Sequence, residues 1–294
     1  MSARWESIGS LVRRRRAENP GPMTLDGTNS YVLGAPGAGG VVVVDPGPLL
    51  AGHLQELAGA GAVELILITH HHGDHTEGSA ALHRLTGAPV RAAQAGYCHG
   101  ATPVHDGELI HAGGLTIAVL ATPGHTGDSL CFAVAGTDEP GGPAFVCTGD
   151  TILGAGSTVI SYPDGRLGDY LDSLEKLQAW GLAHGTAAQP VAALPGHGPV
   201  LGDLAEAAGA YTRHRTERLA QVRAAVGQLG EEGIEVSAAA VAGVVYGDVP
   251  ANLRGAAQLS VEAQLDYLRS GGPAGRGSQG LWSQQKAGQS SGEG

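Results

Sequence analysis

Four side chains able to bind a metal fall within six residues of this chain: His70, His72, Asp74 and His75, in Thr69-His70-His71-His72-Gly73-Asp74-His75. Imidazole and carboxylate together suit zinc and its first-row neighbours. The segment directly follows Leu65-Ile66-Leu67-Ile68, an apolar run that predicts a buried strand. Ligands at the end of such a strand have a rigid base and an open face. Three more short motifs each follow an apolar stretch: Thr122-Pro123-Gly124-His125-Thr126, Thr148-Gly149-Asp150 and Pro195-Gly196-His197-Gly198. In each, a His or Asp sits in a tight glycine-bearing turn that can aim it inward. Any one of them is unremarkable in a chain with 49 glycines. All three in order after the histidine-rich segment amount to a seven-ligand set for two metal ions.

The elements that must position these residues are legible as short apolar strands alternating with helical stretches between residues 28 and 200. Strands are predicted at Ser30–Leu33, Val41–Asp45, Leu65–Thr69, Pro89–Ala92, Leu115–Ala121, Leu130–Val134, Ala144–Thr148 and Val191–Leu194. Leu50–Ala60, Glu77–Leu85 and Asp169–Leu182 read as helices. This mixture predicts an α/β fold of sheets packed on each other with helices outside. From Asp203 the texture changes to a small helical module, with apolar stripes on Tyr211–Leu229 and Asn252–Leu268 and a third segment at Val236–Tyr246. The predicted divisions are a catalytic domain over 19–202, a C-terminal domain over 203–270, and a Gly-, Ser- and Gln-rich disordered tail over 271–294.

Composition narrows the setting. The 294 residues are 42% hydrophobic and 15% charged, as expected of a globular protein with a sizeable core. A net charge of −11 gives no bulk attraction to nucleic acid or to an anionic membrane. No apolar run approaches the roughly 20 residues of a membrane span. Arg13-Arg14-Arg15-Arg16 is followed by polar residues and prolines rather than by the apolar stretch of a signal peptide. That run reads as a solvated or edge-strand segment. Cys98, Cys131 and Cys147 are scattered and predict reduced, mostly buried thiols in a cytoplasmic protein.

The ordered ligand motifs resemble the metallo-β-lactamase superfamily. The resemblance implies an αββα sandwich with the metals at its loop-bearing edge. It implies that His70, His72 and His125 hold one metal, that Asp74, His75 and His197 hold the other, and that Asp150 bridges. Secreted β-lactamases of the superfamily commonly carry Cys where this chain has Asp150, and flavodiiron proteins carry Glu where it has His72. Further stretches are similar to the beta-lactamase-like protein 2 branch, which joins a glyoxalase II-like core to a C-terminal winged helix. They are residues 19–31 (Asn19 to Tyr31), Val44-Asp45-Pro46-Gly47, Gly149-Asp150-Thr151-Ile152-Leu153-Gly154 and residues 245–253, with His214-Arg215 at the opening of a helix. The cast is most like the actinobacterial members. Eukaryotic relatives in this branch divide between single-strand endoribonucleases and thioesterases that release polyketides from acyl carriers.

The resemblance implies a hydrolase whose two divalent ions, zinc first with iron or manganese as alternatives, share a hydroxide that attacks the substrate. Asp74 is expected to orient that nucleophile or take its proton, beyond its ligand role. A thiolate leaves with a conjugate-acid pKa near ~8.5, so a thioesterase needs little help from an acid. No residue stands out as a general acid; His71, His99, His111, His184 and His214 are unassigned. The C-terminal module carries six arginines, no lysine and nine carboxylates between Asp203 and Arg269, whereas a winged helix on nucleic acid is normally basic. The module is therefore expected to wall the cleft or to mediate homo-oligomerisation, and His214 and Arg215 to face the cleft or cap the junction. A small-molecule acyl thioester or ester is the expected substrate, and single-stranded RNA the alternative. A one-iron persulfide dioxygenase and a DNA-binding regulator rank below both.

Overall fold

Strand alternation builds the layers of this molecule, and the computed structural model describes them over residues 5–134 and 144–271. The first sheet contains β1 (Glu6–Ile8), β2 (Val12–Arg16), β3 (Asn29–Leu33), β4 (Val41–Val44), β5 (Val63–Leu67) and β6 (Val90–Arg91), in that spatial order. The second contains β7 (Leu109–Ala112), β8 (Leu115–Ala121), β9 (Leu130–Val134), β10 (Phe145–Gly149) and β11 (Ala192–Pro195), ordered β11-β10-β9-β8-β7. Each sheet begins as an antiparallel meander and ends with parallel pairs, β4–β5–β6 in one and β10–β11 in the other. Parallel neighbours require crossovers. These are α1 (Ala51–Ala58), the pair α2 (Gly73–Thr76) and α3 (Ser79–Thr86), and α4 (Leu167–His184).

Alternate side chains on each strand serve different cores. Val42, Val44, Leu65 and Leu67 meet Ile117, Val119, Phe132 and Leu194 between the sheets. Val43 and Ile66 face the other way, onto Leu54, Leu57 and Leu82 of α1 and α3. On the second sheet Cys131, Ala133 and Val146 turn outward onto Tyr170, Leu174 and Leu177 of α4. The result is the expected αββα order of layers. Burying one such side chain contributes about 1.5–3 kcal/mol, so strands apolar on both faces are held from both sides.

Helices α5 (Leu204–Glu231), α6 (Ala238–Val245) and α7 (Arg254–Arg269) pack onto the same outer layer. Leu219, Val222, Val261 and Leu265 join the core around α4. Asp203 caps α5 by accepting the Glu206 amide at 3.0 Å. The helix therefore starts seven residues before Tyr211, and His214-Arg215 lies within it rather than at its opening. The described residues of the module, 204–271, hold helices and no strand. Turns and a short 3-10 helix at Ala251–Leu253 fill the connections between its helices.

Other expectations shift in the structure. The first sheet starts at β1, upstream of residue 19, where the catalytic domain was expected to open. The arginine run is not an edge, since β2 lies between β1 and β3, and Arg16 alone of the four is exposed. Arg15 is buried and clamps Glu56, with one of its bonds at 2.7 Å, while Arg14 pairs with Glu6 and reaches Gly198 O at 3.0 Å. Arg13 donates to Ala60 O and the exposed Arg16 pairs with Asp26 at 3.3 Å, so each guanidinium has a partner within the chain, which lets a basic strand sit inside a sheet. The helix expected at Glu77–Leu85 starts at Ser79, after Gly78, where a Cβ would lie 2.9 Å from Gly47 O. All three cysteines are free, with Cys131 and Cys147 buried. No helix among the described residues is long and apolar enough to cross a membrane. The tail expectation lies, from residue 272 on, outside the described residues.

Candidate metal centre

All seven sequence-predicted ligands meet at one edge of the sandwich, each delivered by the end of a strand. β5 runs through Ile68 and Thr69 into the extended segment of His70 and His72; α2 then begins, placing Asp74 and His75 in its first turn. β8 leads to His125, β10 to Asp150 and β11 to His197. Glycine is obligatory at two of these turns. Gly124 has φ 142°, and a Cβ there would sit 2.4 Å from Tyr170 Cα. At Gly196 a Cβ would lie 2.5 Å from Asp150 Oδ1 and 2.7 Å from His75 Cε1.

Two groups of donors emerge. His72 Nδ1 lies 3.0 Å from both His70 Nε2 and His125 Nε2. Four-coordinate zinc with nitrogen ligands at about 2.0–2.1 Å has ligand–ligand edges of roughly 3.3 Å, so these three nitrogens fit around one cation. In the second group Asp74 Oδ2 lies 3.2 Å from His197 Nε2 and 3.4 Å from His75 Nε2, and the two imidazole nitrogens are 3.4 Å apart. Asp150 stands between the groups. Its Oδ1 is 3.5 Å from His75 Nε2, and its Oδ2 is 3.3 Å from His197 Nε2 and 3.8 Å from His125 Nε2. Asp150 Oδ1 is also buried with no hydrogen-bond donor. A buried carboxylate oxygen without a donor is costly, and a cation shared with these histidines would satisfy it.

Groups behind the ligands select which ring nitrogen faces inward. Asp45, buried at the end of β4, accepts from His75 Nδ1 at 2.8 Å, from Thr69 Oγ1 at 2.7 Å and from the Thr69 amide at 2.8 Å. Thr69 Oγ1 is 3.0 Å from His70 Nδ1. His125 Nδ1 donates to Val159 O at 2.6 Å, leaving Nε2 for a metal. Thr28 donates to Asp74 Oδ2 at 2.8 Å, and Asn19 in turn holds Thr28. Hydrogen bonds of this kind orient ligating histidines and raise their basicity. Asp45 ends a strand in a Val-Asp-Pro-Gly turn, the same local signature that marks the ligands. Only the folded chain separates its supporting role from theirs.

Protonation divides the two groups. Burial and neighbouring imidazoles hold His70 well below the usual histidine range, and burial takes His72 down to about 4. These rings are neutral, with lone pairs to offer. Burial pushes His75 down as well, but the Asp45 and Asp150 carboxylates outweigh it and raise the ring to about 9. Burial is likewise outweighed at His197, which Asp150 and Asp74 raise to about 10. In the second group the carboxylates favour protons on the imidazoles, and a divalent cation would displace those protons.

A cavity of about 300 Å³ opens beside His125 and Asp150. Its walls come from the Pro22–Leu25 loop, residues 153–159, α5, Tyr246 and α7. The helical module therefore borders the cleft, and His214 and Arg215 both line it. The remaining unassigned histidines lie elsewhere: His71 pairs with Asp128 at 2.8 Å, His99 stacks on His83, His111 meets Thr116 and His184 stacks on Trp180.

Known proteins place this arrangement. A beta-lactamase-like protein 2 homologue of Caenorhabditis elegans is 31% identical over 90% of this chain and 85% of its own. An atrochrysone carboxyl ACP thioesterase of Aspergillus fumigatus is 30% identical over 76% of this chain and 68% of its own. The fold is shared with a metallo-beta-lactamase family protein of Thermus thermophilus, at a TM-score of 0.68 and 23% identity over 88% of this chain and 93% of that one. The metallo-beta-lactamase superfamily model itself matches residues 23–202, from the loop beside the cavity to the turn after His197, and so the chain belongs to that superfamily and is a hydrolase of its fold.

Proposed function

We propose that the protein is a binuclear hydrolase of the beta-lactamase-like protein 2 branch that cleaves a small-molecule acyl thioester or ester. The observation that carries this reading is the placement of Asp150 between two three-donor groups, beside a small cavity with largely aliphatic walls. His70, His72 and His125 would hold one divalent ion, and Asp74, His75 and His197 the second, with Asp150 shared; zinc is the first candidate. Bound there, such ions supply Lewis acidity and lower the pKa of water toward ~7. The protein's own contribution is positional. Asp45, Thr69 and Val159 O keep the ligand nitrogens aimed inward. Asp74 Oδ2 is engaged by Thr28, His75 and His197, so accepting a proton from the attacking water falls to Oδ1.

A thiolate can depart without a strong acid. That suits a cavity in which His214 is the one histidine besides the ligand His125. The similar Aspergillus fumigatus thioesterase supports the same substrate class. The test is elemental analysis of the purified protein, followed by parallel assays on an acyl-thioester panel and on single-stranded RNA. Two zinc or manganese ions per chain and thioester turnover abolished by Asp74→Ala are expected. Turnover of RNA alone, or a single iron with oxygen consumption on a persulfide, would overturn the proposal.

A further inference from the structure

Two arginines of α5 line the cavity without a carboxylate partner among the described residues. Arg215 is buried, 4% exposed. It donates through Nη2 to Thr158 O, and its guanidinium carbon lies 5.2 Å from the Tyr170 ring centroid. Its Nε has no hydrogen-bond partner. One helical turn on, Arg218 is half-buried, bonds Gln221 at 2.8 Å and stacks 5.0 Å from the Tyr246 ring centroid. A buried guanidinium normally finds a carboxylate, because an uncompensated charge in a dry site is costly. Here the sole acid in the cavity wall is Asp150, which the metal site uses. The rest of the wall is mostly apolar, with Met23, Leu25, Leu153 and Leu253 among its side chains.

From this we infer that the distal wall of the cleft is an anion subsite, in which Arg215 and Arg218 bind a carboxylate or phosphate of the acyl thioester or ester while its scissile carbonyl lies at Asp150. The inference rests on the proposed function for the reacting end and adds the charge of the substrate. Arginine matches the planar, two-oxygen geometry of both anions. A cleft of about 300 Å³ is of a size to take a small molecule. The anion has two chemical sources: a carboxylate on the acyl group, or the phosphate of a phosphopantetheine arm.

Hydrolysis-resistant thioethers separate these sources. S-butyl and S-carboxypropyl pantetheine, and the same pair on phosphopantetheine, are titrated calorimetrically into the metal-loaded protein, Arg215→Gln, Arg215→Lys and Arg218→Gln. At least one anionic probe is expected to bind about tenfold or more tightly than neutral S-butyl pantetheine, the scale of one charge-assisted hydrogen bond. The preferred probe identifies the source. The ratio should fall to within about twofold in both Gln variants and recover in part with Lys. Arg218→Gln leaves the Arg215–Thr158 bond in place, so a general loss of structure cannot mimic its effect. Equal affinity for charged and neutral probes in the unmodified protein overturns the inference, as does a preference that survives both Gln variants. Tighter binding of a single-stranded oligoribonucleotide through the same arginines also overturns it. Because the probes are inert, binding reads the subsite independently of whether any thioester is turned over.

Discussion

Replacing Asp45 by Asn removes one charge and leaves the backbone undisturbed. Asp45 has φ 52°, in the left-handed region, and Asn tolerates that region where Ala is strained. Asn can still accept the Thr69 amide bond, which measures 2.8 Å in the native site. Its amino group, however, replaces the oxygen that accepts from Thr69 Oγ1 and His75 Nδ1. A donor then faces His75 Nδ1–H, and the ring is pushed to the tautomer that carries its proton on Nε2, toward Asp74 and His197. Losing one charge-assisted bond costs about 1.5–3 kcal/mol, or roughly a 10- to 150-fold weaker metal equilibrium. Loss of the group behind a ligating histidine has the same scale, about 10–100-fold. The assay is zinc binding in competition with a chromophoric chelator, with circular dichroism to verify the fold. One equivalent should weaken by that factor while the other, held by His70, His72 and His125, changes much less. Native affinity for both equivalents in Asp45→Asn would refute the role given to Asp45.

Three further outcomes are expected. Gly196→Ala should lower metal occupancy in elemental analysis, because its methyl would fall 2.5 Å from Asp150 Oδ1 and must displace that carboxylate; full occupancy would contradict the packing. Gly124→Ala should destabilise the fold by about 3 kcal/mol or more in urea unfolding, through contact with the α4 backbone at Tyr170 and an unfavourable φ. His53 gives a pH dependence: burial lowers it from about 6.5 to about 4, and its Nε2 meets Ser30 Oγ at 2.8 Å. Between those values the unfolded chain binds the extra proton. Stability should therefore fall as pH drops from 6.5 to 4, by up to about 3 kcal/mol from this group. His53→Gln should flatten that part of the curve, and an identical acid slope in the variant would exclude His53 as its source.

The candidate ligands were readable because their signal is local. Strand-forming runs ending at His70, Asp150 and His197 carry periodicity and turn chemistry within a few residues. Elements that depend on distant partners were less legible. β1 and β2 hide behind an arginine run, because the pairing of Arg14 with Glu6 and of Arg15 with Glu56 cannot be read along the chain. β7 is only four residues long and half exposed, so its alternation is too brief to register. In the C-terminal module the helical stripes were clear, whereas the wing rested on resemblance alone.

By itself, the order of residue types in this sequence determined a candidate metal-binding edge, the seven side chains that meet there and the α/β layering, since each follows from ligand chemistry and side-chain alternation over short spans. Tertiary structure alone decided that Asp150 stands between the donor groups, that Asp45 holds His75, and that α5 turns Arg215 into the cavity. Those facts arise where strands and helices far apart in sequence meet. There the cost of burying a charge depends on which neighbours the fold brings within hydrogen-bond distance.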